Sequence, residues 1–426
     1  MQAPSTARPG GRDSPAMTAL SAERARRLAW AALAAYIAGL GIAAALRDQG
    51  DFRIYYLAGQ RVLAGAAIYP PSDSGRFLYA PIFAIGFAPF AMLSRRAAQV
   101  AFFAVNAWGL AAFIIGAGVM LFGRARRLSA LLIVVPVLLS ARFIDNNIEH
   151  GQINLPTLAL CVWAIVYARE RRTIASGAML AAAALIKPFA ILAAMYLLVR
   201  KKLAALGWAF VAGVVLLAAP VAVFGLRGWF DQTESYLRAV ASMTDRYRLM
   251  LTNQSAVAAL ARVLVRWSPA GDAPRLSLAL GMAFECAAIA IVLRMVWRRA
   301  PARGDEGAAD SVPLAALFCL MPGFAPLSWK SYYAALVVPY MVVIAALQED
   351  WSAQRPPKRS VCALLVLSII LNLASGTYLN RLGLFYSAHL GSSIALLIAL
   401  LVLDTTADAA DRATETVKSR AGAAGS

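Results

Sequence analysis

The chain is written as apolar runs of membrane-spanning length, separated by compact clusters of Arg and Lys. A run of some twenty apolar residues has to be helical in lipid, where every backbone N–H and C=O needs an internal partner. With 61% of its 426 residues hydrophobic and 15% charged, the sequence reads as an all-α, polytopic membrane protein. The net charge of +19 would suggest nucleic acid in a soluble protein. Here the basic residues fall between the apolar runs, where they set orientation, and nucleic acid is a poor reading. Cys161, Cys286, Cys319 and Cys362 all lie within apolar runs without CxxC spacing and read as small core residues.

Taken in order, residues 1–27 form a cytoplasmic tail, disordered to about Leu20, followed by a retained first span, Leu28 to Leu46. Residues 47–98 form a mixed external region. Within it, Tyr79 to Leu93 is short, carries Pro81 and Pro89, and is better read as interfacial or re-entrant than as a span. Spans follow at Gln99 to Gly123, Leu128 to Ala141 and Ile153 to Tyr167. The run Ser176 to Val199 has basic clusters at both ends, so a single crossing would put one cluster outside. A break at Lys187-Pro188, giving two half-length helices that enter and return, keeps both inside. Leu203 to Phe224 then leads to a second long external region, 225–275, with an amphipathic helix near Val257 to Val265. Leu276 to Met295, Pro313 to Phe324, Tyr332 to Leu347, Val361 to Tyr378 and His389 to Leu403 complete about twelve membrane segments in one domain, 28–404. Both termini, including a polar tail at 405–426, are then cytoplasmic, and the polar breaks all fall outside.

Those breaks carry the candidate chemistry. Asp51 follows the first span closely and either caps or turns the chain at the interface or is used in a polar pocket. Arg53 pairs with it or with a headgroup; Tyr55 and Tyr56 are belt aromatics or ligands. Glu149, His150, Gln152 and Asn154 place an acid, an imidazole and two amides at the outer end of a span, and amides suit sugar hydroxyls because they both donate and accept. Helix joining by Gln152 and Asn154 is the equal alternative. His150 has no partner at metal-ligand spacing, so neither a metal nor another cofactor is expected, and His389 reads as structural. Lys187 at its break suits a phosphate, the alternative being a lysine that snorkels to the headgroups. Arg246 and Arg248 could hold an anionic lipid. Asn253-Gln254-Ser255 opens the amphipathic helix and at least caps it. Trp329 could stack on a sugar with Lys330 on phosphate and Tyr332 nearby, or these residues could anchor the interface.

Five pieces in order, DFRIYYLAGQRVLAGAAIY, FLYAPIFAIGFAPF (which holds Tyr79), GQINL, AALIKPFAIL, and NQSAVAALAR followed by APLSWKSYY, resemble glycosyltransferase family 87, the polyprenyl-phosphate-mannose-dependent transferases of the C-type membrane fold. The resemblance implies inverting transfer of a hexose, typically mannose, from a polyprenyl-phosphate donor to a lipid or glycan acceptor on the external face of a bacterial inner membrane. It also implies that Asp51 is the general base, with cationic groups on the departing phosphate. Family members often carry a histidine pair after the late Trp, where this chain has Lys330-Ser331-Tyr332-Tyr333. The rivals from the residues alone are a transporter or flippase with a midplane site at Lys187-Pro188, or a non-catalytic relative.

Overall fold

A computed structural model describes residues 15–70, 77–247, 249–267, 273–299, 310–324, 327–374 and 380–423. The described residues are helical throughout, with no strand. The helices are α1 (Pro15–Ala45), α2 (Gly50–Leu63), α3 (Pro81–Ala91), α4 (Arg95–Phe122), α5 (Ala130–His150), α6 (Asn154–Arg169), α7 (Thr173–Ile186), α8 (Ile191–Val199), α9 (Leu203–Ala218), α10 (Val221–Tyr247), α11 (Ala256–Trp267), α12 (Ala273–Arg298), α13 (Ser311–Leu320), α14 (Val337–Ser352), α15 (Arg359–Ala374), α16 (Asn380–Phe385) and α17 (Ala388–Ala423). Short 3-10 segments, Pro188–Ala190 and Lys330–Leu336, precede α8 and α14.

The expected twelve crossings are not met by length. Among the described residues six helical stretches are long and apolar enough to cross a membrane, and a seventh is formed if α9 and Val221–Met243 of α10 count as one span bent by 82°. The runs expected to span at 153–167, 313–324 and 361–378 are helices of 16, 10 and 16 residues. At about 1.5 Å per residue these fall short of a hydrocarbon core about 30 Å thick. Some of the apolar helices face other helices instead of lipid. α13, for example, is buried along most of its length. α9 is the opposite case, with only Ala205 buried and Phe210 and Val215 turned outward, as a lipid-facing helix requires.

The break at Lys187-Pro188 is present. α7 stops at Ile186, and Lys187 is extended (φ −143°, ψ 128°), as a residue before proline prefers. Arg169, four residues before α7, and Arg200, which caps α8, both reach the carboxylate of Asp310. The two ends of the run 173–199 therefore meet at one end of the molecule, with Lys187 at the turning point.

Both regions expected to be external hold more helix than expected. α2 was not foreseen, and most of 225–275 is α10 and α11. Gly225, at φ 69°, bends α10 away from α9. α10 then covers the loop before α3, with Gln232 accepting a hydrogen bond from the Ile68 N–H at 3.1 Å. The foreseen amphipathic helix is α11, whose first turn is capped by Ser255 Oγ accepting from the Ala258 N–H at 3.2 Å. At the C-terminus the helix of the last span runs on to Ala423. Of the stretch expected to be disordered to about Leu20, residues 1–14 lie outside the described residues, whereas 15–20 is already helix, the start of α1.

Candidate active site

Asp51 sits in the first turn of α2, where the helix N-terminus favours a carboxylate. The start of α2 is held against the end of α5. Gln49 Nε2 donates to the Ile148 carbonyl at 2.6 Å, and Gly151, at φ 65°, closes α5 so tightly that a Cβ there would lie 2.6 Å from the Cβ of Phe52. Only glycine satisfies both the left-handed backbone and the contact.

One residue beyond that turn, Gln152 Nε2 donates to Asp51 Oδ2. The amide is fixed from its other end, because Gln152 Oε1 accepts from Asn154 Nδ2 at 2.8 Å and from Ser331 Oγ. Asn154 Nδ2 also donates to Ser331 Oγ at 3.0 Å, while its Oδ1 is buried without a partner among the described residues. A further layer supports this chain. Asn147 donates to Asn106 Oδ1 at 2.8 Å and to the Gln152 carbonyl at 3.1 Å, and its Oδ1 accepts the Asn154 N–H. With Oδ2 occupied, Oδ1 makes no hydrogen bond with the described residues, and the residue is only partly buried.

Lys187 lies beside this carboxylate and is buried, so it is not a snorkelling lysine. Its ammonium donates to Tyr332 Oη at 2.7 Å and stands 4.9 Å and 4.5 Å from the ring centroids of Tyr79 and Tyr332. Tyr55, one turn after Asp51 on the same face of α2, shares a 2.7 Å hydroxyl hydrogen bond with Tyr79. Burial pushes the Asp51 carboxyl above the usual carboxylate range; the Gln152 hydrogen bond and the charges of Lys187 and His150 oppose that shift. Burial first, then Tyr79 and Asp51 for Tyr55 and Tyr332 and Asp51 for Tyr79, hold both well above their ordinary values, against a lowering hydrogen bond from Tyr55 to Tyr79, so both are neutral hydroxyls.

Of the candidates read from sequence, Asp51, Gln152, Asn154, Lys187, Tyr55, Tyr79 and Tyr332 therefore meet in one place. Others do not. Tyr56 turns to the Leu93 carbonyl at 2.8 Å. Glu149 is on the surface, paired with Arg47. His150 is exposed and bonded to Asn146, touching the site only through its charge. Asn253 and Gln254 brace loops. Asn253 Oδ1 takes the Ser255 and Ser328 N–H groups, and Gln254 Nε2 donates to the Leu251 and Leu384 carbonyls. Trp329 packs edge-on to Tyr247, over which exposed Arg246 lies. Lys330 has Arg142, Glu149 and Asp145 as its charged neighbours, whereas Lys187 has Asp51. Arg248 lies outside the described residues. Ser331, Asn147 and Asn106 were not foreseen as site residues. The signal for Asn106 was a lone amide inside an otherwise apolar helix.

Among the described residues no group of three or more His, Cys, Asp or Glu could hold a metal ion. The arrangement offers a carboxylate with one free oxygen, a buried cation a short distance away, and neutral hydroxyls around both.

Two curated proteins named polyprenol-phosphate-mannose-dependent alpha-(1-2)-phosphatidylinositol mannoside mannosyltransferase are similar to this chain. The one from Mycolicibacterium smegmatis is 29% identical over 328 residues, covering 70% of each chain. The one from Mycobacterium tuberculosis is 28% identical over 325 residues with the same coverage. The model of glycosyltransferase family 87 matches residues 77–322, a stretch that holds Gln152, Asn154 and Lys187 and begins after Asp51. As that match takes in more than half of the sequence, the chain belongs to glycosyltransferase family 87.

Proposed function

We propose that the protein is a membrane mannosyltransferase. It moves mannose from a polyprenyl-phosphate carrier to a hydroxyl of a lipid or glycan acceptor on the external side, with inversion at the anomeric carbon. The names of the two mycobacterial relatives support the donor class and make a phosphatidylinositol mannoside the first acceptor to try. The external placement is supported by the distribution of charge. Arg169, Arg171, Arg172, Arg200, Lys201 and Lys202 cluster at the end opposite Asp51, as cytoplasmic ends do.

In this reading the acceptor oxygen attacks the anomeric carbon as the bond from that carbon to the phosphate oxygen breaks. The hydroxyl proton passes to Asp51 Oδ1, and the electron pair leaves with the polyprenyl phosphate, whose growing negative charge is met by Lys187. Gln152 keeps Oδ2 occupied and the carboxylate aimed. The single observation that carries the reading is a part-open, hydrogen-bonded Asp51 that has the buried Lys187 as a charged neighbour. This polar group lies at the C-terminal end of α5 and the N-terminal end of α6, away from the middle of any long helix, which favours a transferase over a midplane transport site.

The test is direct. Purified protein in lipid nanodiscs is incubated with polyprenyl-phosphate mannose or a nucleotide-linked mannose, plus phosphatidylinositol mannoside, and products are weighed by mass spectrometry. Transfer from the polyprenyl donor alone is the expected result; transfer from the nucleotide sugar, or none from either, rejects it.

A further inference from the structure

We infer a second anion site on the same face, built from Arg142 and Lys330, that takes the phosphodiester of a lipid headgroup. It rests on the transferase reading for its place in the reaction, though not for its chemistry.

Arg142, Asp145 and Glu149 line one face of the last turns of α5 at spacings of three and four residues. Lys330, at the head of the 3-10 segment before α14, lies among them. Its ammonium is half-buried and makes no hydrogen bond or ion pair with the described residues, an arrangement that is costly at a membrane boundary unless an anion completes it. The neighbouring acids are committed elsewhere: Asp145 accepts from Tyr36 Oη, and Glu149 pairs with Arg47. Arg142 donates to the Asn372 carbonyl at 2.7 Å, which fixes its guanidinium. The His389 ring packs against Phe143 and Tyr333.

Lys330 has Arg142, Asp145 and Glu149 as its charged neighbours, and both acids hold other partners, Tyr36 and Arg47. A phosphodiester carries one negative charge, and its oxygens suit a lysine point charge beside an arginine fork. The position also suits the reaction. Lys330 is the chain neighbour of Ser331, which pins Gln152 and through it Asp51. Lys330 has the α5 acids as its charged neighbours and Lys187 has Asp51, so the two cations mark separate anion positions.

The test uses the full chain in phosphatidylcholine nanodiscs, with short-chain phosphatidylinositol as probe and diacylglycerol of equal chain length as the uncharged control. Lys330→Gln and Arg142→Gln are expected to weaken phosphatidylinositol binding by about tenfold or more, with diacylglycerol unaffected. Lys330→Arg should retain binding, which guards against a folding defect in Arg142→Gln. Equal phosphatidylinositol affinity in wild type and Lys330→Gln overturns the site. The source of the phosphodiester is read from transfer kinetics with phosphatidylinositol mannoside and with octyl mannoside. A KM raised by Lys330→Gln for the first acceptor alone assigns the phosphodiester to the acceptor; unchanged KM values with weakened binding assign it to a bilayer lipid. Binding is measured without turnover, so the two ideas fail separately. A protein that binds through Lys330 but transfers nothing sinks the transferase reading, and an active protein indifferent to Lys330→Gln sinks this site.

Discussion

Gln152 donates its side-chain amide to the carboxylate of Asp51 across 101 residues of sequence, joining the turn after α5 to the first turn of α2. The bond has one orientation, since Gln152 Oε1 is held by Asn154 and Ser331. It selects which oxygen of Asp51 stays without a hydrogen bond among the described residues, and in the proposed reaction that oxygen takes the proton.

If Asp51 Oδ1 takes the acceptor proton, Asp51→Asn removes the base while keeping shape and the contact with Gln152. Transfer should fall by about a hundredfold to ten-thousandfold, the usual range for loss of a general base. Donor affinity, measured by equilibrium binding of polyprenyl-phosphate mannose, should stay within a few-fold of wild type. Near-normal turnover in this variant would remove Asp51 from the mechanism.

The base works only when ionised, and burial raises its pKa while Gln152 and Lys187 lower it. Activity should therefore fall as pH drops through a value above the ordinary carboxylate range. Lys187→Gln removes a charge that favours the ionised form, so the acid limb of kcat/KM should move to higher pH, while weakened phosphate contact lowers the plateau. A limb that stays in place in this variant would show that Lys187 does not act on Asp51.

Ser331→Ala removes one of the two donors that pin Gln152 Oε1 and leaves the Gln152–Asp51 bond formally possible. A looser amide should misaim the carboxylate, lowering kcat by about tenfold with KM for the acceptor little changed, as expected when an interaction matters mainly in the transition state. Ser331→Thr restores a hydroxyl and should recover most of the loss. A purely structural role would lower thermal stability without this split.

The sequence made parts of this readable and hid others for physical reasons. Asp51, Gln152, Asn154 and Lys187 stood out because polar groups beside apolar runs are costly without a use. The break at Lys187 could be read from proline chemistry and from basic clusters at both ends of one run. Hydropathy cannot separate a helix buried in protein, such as α13, from one facing lipid, and so the twelve expected crossings stand unconfirmed beside the six or seven found by length among the described residues. Nor does it reveal direction. Tyr56 and Lys330 stand one residue from site groups yet serve other partners, because successive helical positions point about 100° apart. α2 was missed because its apolar residues, Phe52, Tyr55, Tyr56, Ala58 and Gly59, pack on a second aromatic cluster instead of forming a long run.

Gly151→Ala should disturb the site without touching a polar group. The left-handed backbone costs a non-glycine residue about 1–2 kcal/mol, and the added methyl would lie within 2.6 Å of Phe52 Cβ. α2 must then shift, taking Asp51 from Gln152. The expected result is a lowered unfolding temperature in detergent together with a larger loss of kcat than of donor binding.

The opposite end of the molecule offers a control on the turn at Lys187. Asp310 is buried and accepts from Arg169 at 3.2 Å, from Tyr196 Oη at 2.6 Å and from Arg200 Nε at 3.0 Å, so one carboxylate ties the ends of α6 and α8 to the start of α13. Asp310→Asn leaves two largely buried guanidinium groups without their anion. Breaking a buried pair in this way costs about 3–5 kcal/mol, well beyond a surface substitution. Because Arg169 and Arg200 bracket the run 173–199, the loss should loosen that run first. Limited proteolysis should cut between Arg169 and Lys202 before any other described segment, and the unfolding temperature should drop sharply. The Asp51 site lies at the far end, so the acid limb of the pH profile in the surviving folded fraction should not move. A shifted limb would mean that the two ends are coupled through α7 and α8, and that the turn at Lys187 is not a rigid support.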